Sequence, residues 1–130
     1  MLALLALAAA APPGIAGDWV NADRTAVIRI APCGPLLCGS AIRILARGPK
    51  VPATDVNNPD PRLRSHPLVG LRVLWGFSRS GAGWAGGRAY DPKSGKSYRA
   101  RLTLNPNGTL KVTGCIAIFC RSQQWTRANR

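Results

Sequence analysis

The sequence predicts an all-β fold, a small antiparallel up-and-down barrel of about eight strands. Three observations predict it. Apolar and polar residues alternate with a period of two in short runs along the chain, turn residues recur between those runs, and no long stretch carries the 3.6-residue apolar period of a helix. The 130 residues, with 14 Gly and 11 Pro, suit one domain large enough to bury about two-thirds of its unfolded surface around a single core.

At the start, Leu2 to Ala11 is an unbroken apolar run. It is too short to cross a bilayer, which takes about 20 residues. The small residues at its end, before Pro12-Pro13, resemble a cleavage site, so a secretory signal peptide is expected over residues 1–11. The Lys or Arg that normally leads such a peptide does not precede this run. A buried N-terminal helix is the alternative. The barrel domain is expected over residues 17–128.

Gly17 to Val20 opens the first strand, and Asn21-Ala22-Asp23-Arg24 turns the chain. Thr25 to Ile30 is the second strand, with Ala26, Ile28 and Ile30 on one face. Ser40 to Arg47 is the third. A long polar, proline-rich connection follows from Gly48 to Pro67. Loops of that length without structure of their own are often functional, and Asp55, Asn57, Asn58 and Asp60 supply side chains that close turns on the backbone.

The centre of the chain, Leu68 to Leu104, reads as a three-stranded meander. Val69, Leu71, Val73, Trp75 and Phe77 are expected on one face. Ser80-Gly81-Ala82-Gly83 makes the turn. The next strand sets Trp84, Gly86, Arg88 and Tyr90 against Ala85, Gly87 and Ala89, its glycines implying curvature. Asp91-Pro92 and Ser94-Gly95 turn the chain again, and Tyr98, Ala100, Leu102 and Leu104 form an apolar face opposite Arg99 and Arg101. Asn105-Pro106-Asn107-Gly108 is a hairpin turn. Thr109 to Ile116 and Arg121 to Arg127 complete eight strands.

Four cysteines form two C-x4-C pairs, Cys33 with Cys38 and Cys115 with Cys120. In an exported chain they point to two disulfides. Three pairings are possible, and the spacing favours Cys33–Cys38 and Cys115–Cys120, each tying two adjacent strands. Zinc is the rival reading, but its ligand pairs usually sit two to four residues apart where thiols stay reduced.

The net charge is +13, from 14 Arg and 4 Lys against 5 Asp and no Glu. Such a surface attracts polyanions. Arg, Ala, Gly and Pro also rise together as a GC-rich genome would make them. Nucleic acid is not an expected partner, because the arginines are spread over nearly every strand and few aromatics sit among them.

Little in the chain suggests catalysis. His66 is the only histidine, so no imidazole metal cluster can form, and neither a metal nor a cofactor is expected. Ser65 or Ser78 with His66 and Asp55 or Asp60 would make a triad only if geometry supplied it, and no G-x-S-x-G elbow is present. The five Asp all occupy turn contexts, where they have backbone-capping work.

Several motifs in order resemble a known family. They are Gly17-x-Trp19, C-x4-C-G at Cys33 to Gly39, D-x-N-N-P-D-P-x-L-R from Asp55 to Arg64, and P-L-V-G-L at Pro67 to Leu71. After them come W-x-G-G-x-x-Y-D-P-x-S-G-K-x-Y from Trp84 to Tyr98, Gly114-Cys115 and Trp125-Thr126-Arg127. Together they resemble the bacterial exported family called domain of unknown function 2147, over residues 17–127. The resemblance implies a signal peptide, an envelope location (periplasmic or secreted) and a small lipocalin-like barrel. It implies no established activity and no established ligand. Lipocalins open with Gly-x-Trp and end with an Arg that packs across that Trp, so the likeness assigns barrel closure to Trp19 and Arg127.

The expected function is therefore non-enzymatic binding of a small amphipathic or apolar ligand. Asp55, Asn57, Asn58, Arg64, Arg72 and Arg88 are the expected rim, with Trp75 and Trp84 as aromatic contacts. The alternative is an envelope structural or interaction protein that uses its basic surface on anionic lipid or glycan.

Overall fold

The structure is a computed structural model that describes residues 14–128. The expected signal peptide lies outside the described residues. Eight strands form: β1 Gly17–Val20, β2 Ala26–Cys33, β3 Leu36–Ile44, β4 Arg72–Ser80, β5 Gly83–Asp91, β6 Lys96–Leu104, β7 Leu110–Ile116 and β8 Phe119–Arg127. Each pairs antiparallel with the next, and β1 pairs with β8, so the sheet closes on itself as an up-and-down barrel. Closure leaves no unpaired sheet edge.

Several strand boundaries differ from the sequence reading. The first C-x4-C segment is not a connection but a tight hairpin. Gly34, at φ 63°, turns the chain within two residues, so β2 runs on to Cys33 and β3 begins at Leu36. At the other end β3 stops at Ile44, and β4 starts only at Arg72. Val69 is exposed, and Gly70 at φ 92° breaks the extended backbone before it.

The faces of the meander also differ, because register irregularities in β4 and β5 interrupt the period of two. In β4, Leu74 lies opposite Gly39 and Phe77 opposite Leu37, so three steps along β4 match two along β3. Gly76 absorbs the extra residue at φ 80°. Leu74 and Phe77 both turn inward and are fully buried, while Trp75 is carried to the outer face opposite Arg88. A second irregularity lies in β5 between Trp84 and Gly87. Gly87 then meets the Phe77 ring so closely that a Cβ there would sit 2.5 Å from ring atoms. Only glycine allows that approach.

The turns β2–β3, β4–β5 and β6–β7 and both ends of the barrel domain lie at one end, here termed the base. The turns β1–β2, β5–β6 and β7–β8, with residues 45–71, lie at the other, the mouth. The base half is solid. Trp19, Ile30, Leu37, Phe77, Leu102 and Leu110 fill it and are nearly or fully buried, each contributing about 1.5–3 kcal/mol on removal from water. Trp19 lies opposite Arg127, whose guanidinium stacks 4.1 Å from the indole centroid. The indole Nε1 donates to Ile15 O at 2.8 Å, and the Arg127 guanidinium donates to Ala16 O and Gly14 O. The stack adds about 0.5–2 kcal/mol and seals the base.

Candidate functional site

The mouth half is hollow. A cavity of about 820 Å³ opens there, within the range of small-molecule sites. Its deep walls are Ile28, Ala41, Val73, Leu74, Val112 and Trp125, apolar side chains turned inward from their strands. The side chains that would fill such a space are short or absent. Ala41 and Ala89 are small, and Gly114 contributes none.

Polar groups gather toward the opening. Phe119, Arg121, Gln123 and Trp125 all line the cavity, as alternate residues of β8 must once Trp125 points inward. Arg121 sits opposite Gly114 in the ladder, so no side chain from that position crowds it. On the far side of Gly114 stands Tyr98, which also lines the cavity. The ion pairs among the described residues are Asp18–Arg29, Asp60–Arg62 and Asp23–Lys93. Arg121 is in none of them, and its charge faces the opening without a carboxylate partner.

Asp23 and Lys93 join the β1–β2 turn to the β5–β6 turn. Those turns are four strands apart in a ring of eight, so the pair spans the mouth. On one side of it lie residues 45–71, which fold over the opening and contribute Lys50, Val51, Pro52, Thr54, Leu68 and Leu71 to the cavity wall. Asn57 fastens this segment by donating to Pro92 O and Lys93 O, both at 3.1 Å. On the other side lies the β7–β8 hairpin, where Phe119, Arg121 and Gln123 stay exposed although their register points them inward. The doorway is therefore beside that hairpin.

The folded-over segment is held by a buried carboxylate. Asp55 is 1% exposed and accepts from the Tyr90 hydroxyl at 2.8 Å and from Asn58 Nδ2 at 2.8 Å. Burial, reinforced by the Asp55 bond, pushes the Tyr90 phenol above its ordinary pKa, because ionising it would set two negative charges against each other. Asp60 caps the short 3-10 turn Pro61–Leu63, and Arg64 Nε donates to Asn58 O at 2.7 Å.

Of the sequence-predicted residues, Asp55, Asn57, Asn58 and Arg64 do come together, but as the clasp of this segment, and only Asn57 lines the cavity. Arg72 and Arg88 are not on the rim. Both project from the outer face and are exposed, Arg72 because it neighbours inward Val73, and Arg88 because the irregularity between Trp84 and Gly87 leaves Gly87 and Ala89 on the inner face. Trp75 is outside because the register shifts around Leu74 turn Val73, Leu74 and Phe77 inward. Trp84 packs beside the base core with Arg79 5.5 Å above its ring, away from the cavity. His66 is exposed on the long segment, and the Asp55 carboxylate is engaged by Tyr90 and Asn58 rather than by a histidine or serine. Both expected disulfides form, Cys33–Cys38 and Cys115–Cys120. Arg121 was not singled out in the sequence. Counting back in twos from Trp125 would have placed it on the inward face.

A closed eight-stranded barrel, sealed by a Trp–Arg stack at one end and hollow at the other, defines a lipocalin-like barrel of the kind that suits a binding protein. The chain belongs to the bacterial family described as "Uncharacterized protein conserved in bacteria (DUF2147)", whose model matches residues 17–127. Among solved structures it is similar to protein HP1028 from Helicobacter pylori, described as belonging to the lipocalin family. That likeness has a TM-score of 0.78 at 20% identity and covers 91% of this chain and 85% of the other. At that identity the likeness speaks for the fold. No curated protein matches the sequence.

Proposed function

We propose that this protein is an exported, non-enzymatic carrier of one small amphipathic molecule with an anionic head. The carrying observation is the cavity, apolar in its depth and cationic at its doorway. The apolar part of the ligand lies against Ile28, Val73, Leu74, Val112 and Trp125. Its head meets Arg121, with Tyr98 as a hydroxyl donor nearby. The two disulfides favour an oxidising compartment outside the cytoplasm. No helix among the described residues is long and apolar enough to cross a membrane.

The test is uptake of two fluorescent probes, a long-chain carboxylate and the matching neutral alcohol. Both are expected to bind with one-to-one stoichiometry. A hydrogen bond to a charged group contributes about 1.5–3 kcal/mol, so Arg121→Ala should weaken the carboxylate at least tenfold. The same change should leave the alcohol unaffected. Absence of uptake for both probes would overturn the reading.

A further inference from the structure

The tip of the β7–β8 hairpin is an unusual surface for a water-facing turn. Ile116 is 58% exposed, Ile118 87% and Phe119 76%. Turns at barrel rims usually carry Gly, Asn, Asp or Pro, as the β6–β7 turn does here with Asn105-Pro106-Asn107-Gly108. This tip instead presents three large apolar side chains within the four residues 116–119. It is also held firmly. Ile116 and Phe119 face each other across the hairpin, Cys115–Cys120 clips it directly below, and Arg99 Nη2 donates to Ala117 O at 2.6 Å. The apolar side chains are therefore displayed by a constrained scaffold, not by a segment free to fold them away.

Cations surround it. Arg99 touches the tip, Arg121 follows Cys120, and Lys96 starts β6 at the same end. None of the three is in an ion pair among the described residues. A greasy point ringed by uncompensated positive charge complements an anionic bilayer, whose surface attracts nearby Lys and Arg and whose interior accepts apolar side chains. A second copy of this chain fits poorly. Specific protein interfaces bury roughly 800 Å² per partner, more than a four-residue tip offers, and the same cations would face one another.

We propose that the Ile116–Phe119 tip inserts into the headgroup region of anionic phospholipid membranes and thereby turns the cavity doorway toward the bilayer. Ile116 and Phe119 line the cavity as well as the tip, so a molecule leaving the bilayer passes along them into the barrel. The route of the ligand rests on the binding function proposed above, whereas the docking does not.

The experiment compares co-sedimentation with phosphatidylcholine vesicles and with vesicles of phosphatidylcholine and phosphatidylglycerol, at low and high salt. The wild-type chain is expected to bind only the anionic vesicles, and to release as salt screens the attraction. Ile118 is not part of the cavity wall, so Ile118→Ser should weaken vesicle binding about tenfold. Uptake of the carboxylate probe from water should stay unchanged, and its transfer from vesicles should slow. Equal binding of Ile118→Ser and wild type, or no preference for anionic vesicles, would overturn the proposal. So would a concentration-dependent dimer that Ile118→Ser abolishes without any vesicle binding. Failure of probe uptake with vesicle binding intact would reject the carrier reading and leave the docking standing.

Discussion

The two C-x4-C hairpins have the same cysteine spacing and lie at opposite ends of the barrel. In the first, Cys33 stands opposite Leu36 and Cys38 opposite Ala31, so the bridge runs diagonally across the ladder. In the second, Cys115 stands directly opposite Cys120, and the Cα atoms are 4.1 Å apart rather than 5.8 Å. The first hairpin turns through Gly34-Pro35 over the solid base, where Leu37 and Cys38 are buried. The second turns through Ala117-Ile118 at the mouth, where every apolar neighbour is exposed. Equal spacing thus serves two purposes. One bridge secures a filled core, and the other holds apolar side chains out in solvent beside an opening.

The contrast between base and mouth is sharpest within β2 itself. Ile30 is packed in the base and Ile28 lines the cavity. Ile30→Ala should cost about 4 kcal/mol, because it leaves a sealed void. Ile28→Ala should cost about 2 kcal/mol, because it only enlarges a space that already exists. Urea unfolding at constant m-value measures both, and equal losses would mean that the mouth half is not hollow in solution.

A smaller effect separates the disulfides. Each closes a short loop, and its removal should cost about 2 kcal/mol. The pair Cys33→Ser and Cys38→Ser should lower only stability. The pair Cys115→Ser and Cys120→Ser should lower stability similarly and also weaken binding to anionic vesicles. Vesicle binding unchanged in the second pair would show that the clip does not set the tip.

The smallest effect concerns the clasp of residues 45–71. Tyr90→Phe removes one of two side-chain donors to buried Asp55 and should cost about 1–2 kcal/mol. The Tyr90 pKa is raised in the folded state, so its contribution is fully present below the unfolded value, near 10. It is lost as pH climbs above that value toward the folded one. Absorbance titration should show a tyrosine that ionises well above the ordinary value near 10, and Tyr90→Phe should remove that transition.

Much of the fold was legible in the sequence because its signals are local. Period-two alternation located all eight strands, and the turn residues between them set the up-and-down order. The Gly17-x-Trp19 motif with Arg127 foretold the seal at the base, and the cysteine spacing foretold both bridges. The site was less legible. Trp75 was expected inward with Val73 and Phe77, but register shifts on both sides of Leu74 turn Val73, Leu74 and Phe77 inward and leave Trp75 outside. The irregularity between Trp84 and Gly87 likewise leaves Arg88 outside, and Arg72, expected at the rim, is outside because it neighbours inward Val73. A single-residue slip exchanges inside for outside.

By itself, then, the sequence determined an all-β chain, its strand count, its disulfide pairs and its strongly cationic surface. These follow from residue chemistry and near neighbours. Only the tertiary structure decided which half of the barrel is filled, that Arg121 rather than Arg72 or Arg88 faces the opening, and that Ile118 and Phe119 stand at the doorway. Those outcomes depend on how bulges and ring closure bring distant strands together, and no stretch of neighbouring residues encodes that alone.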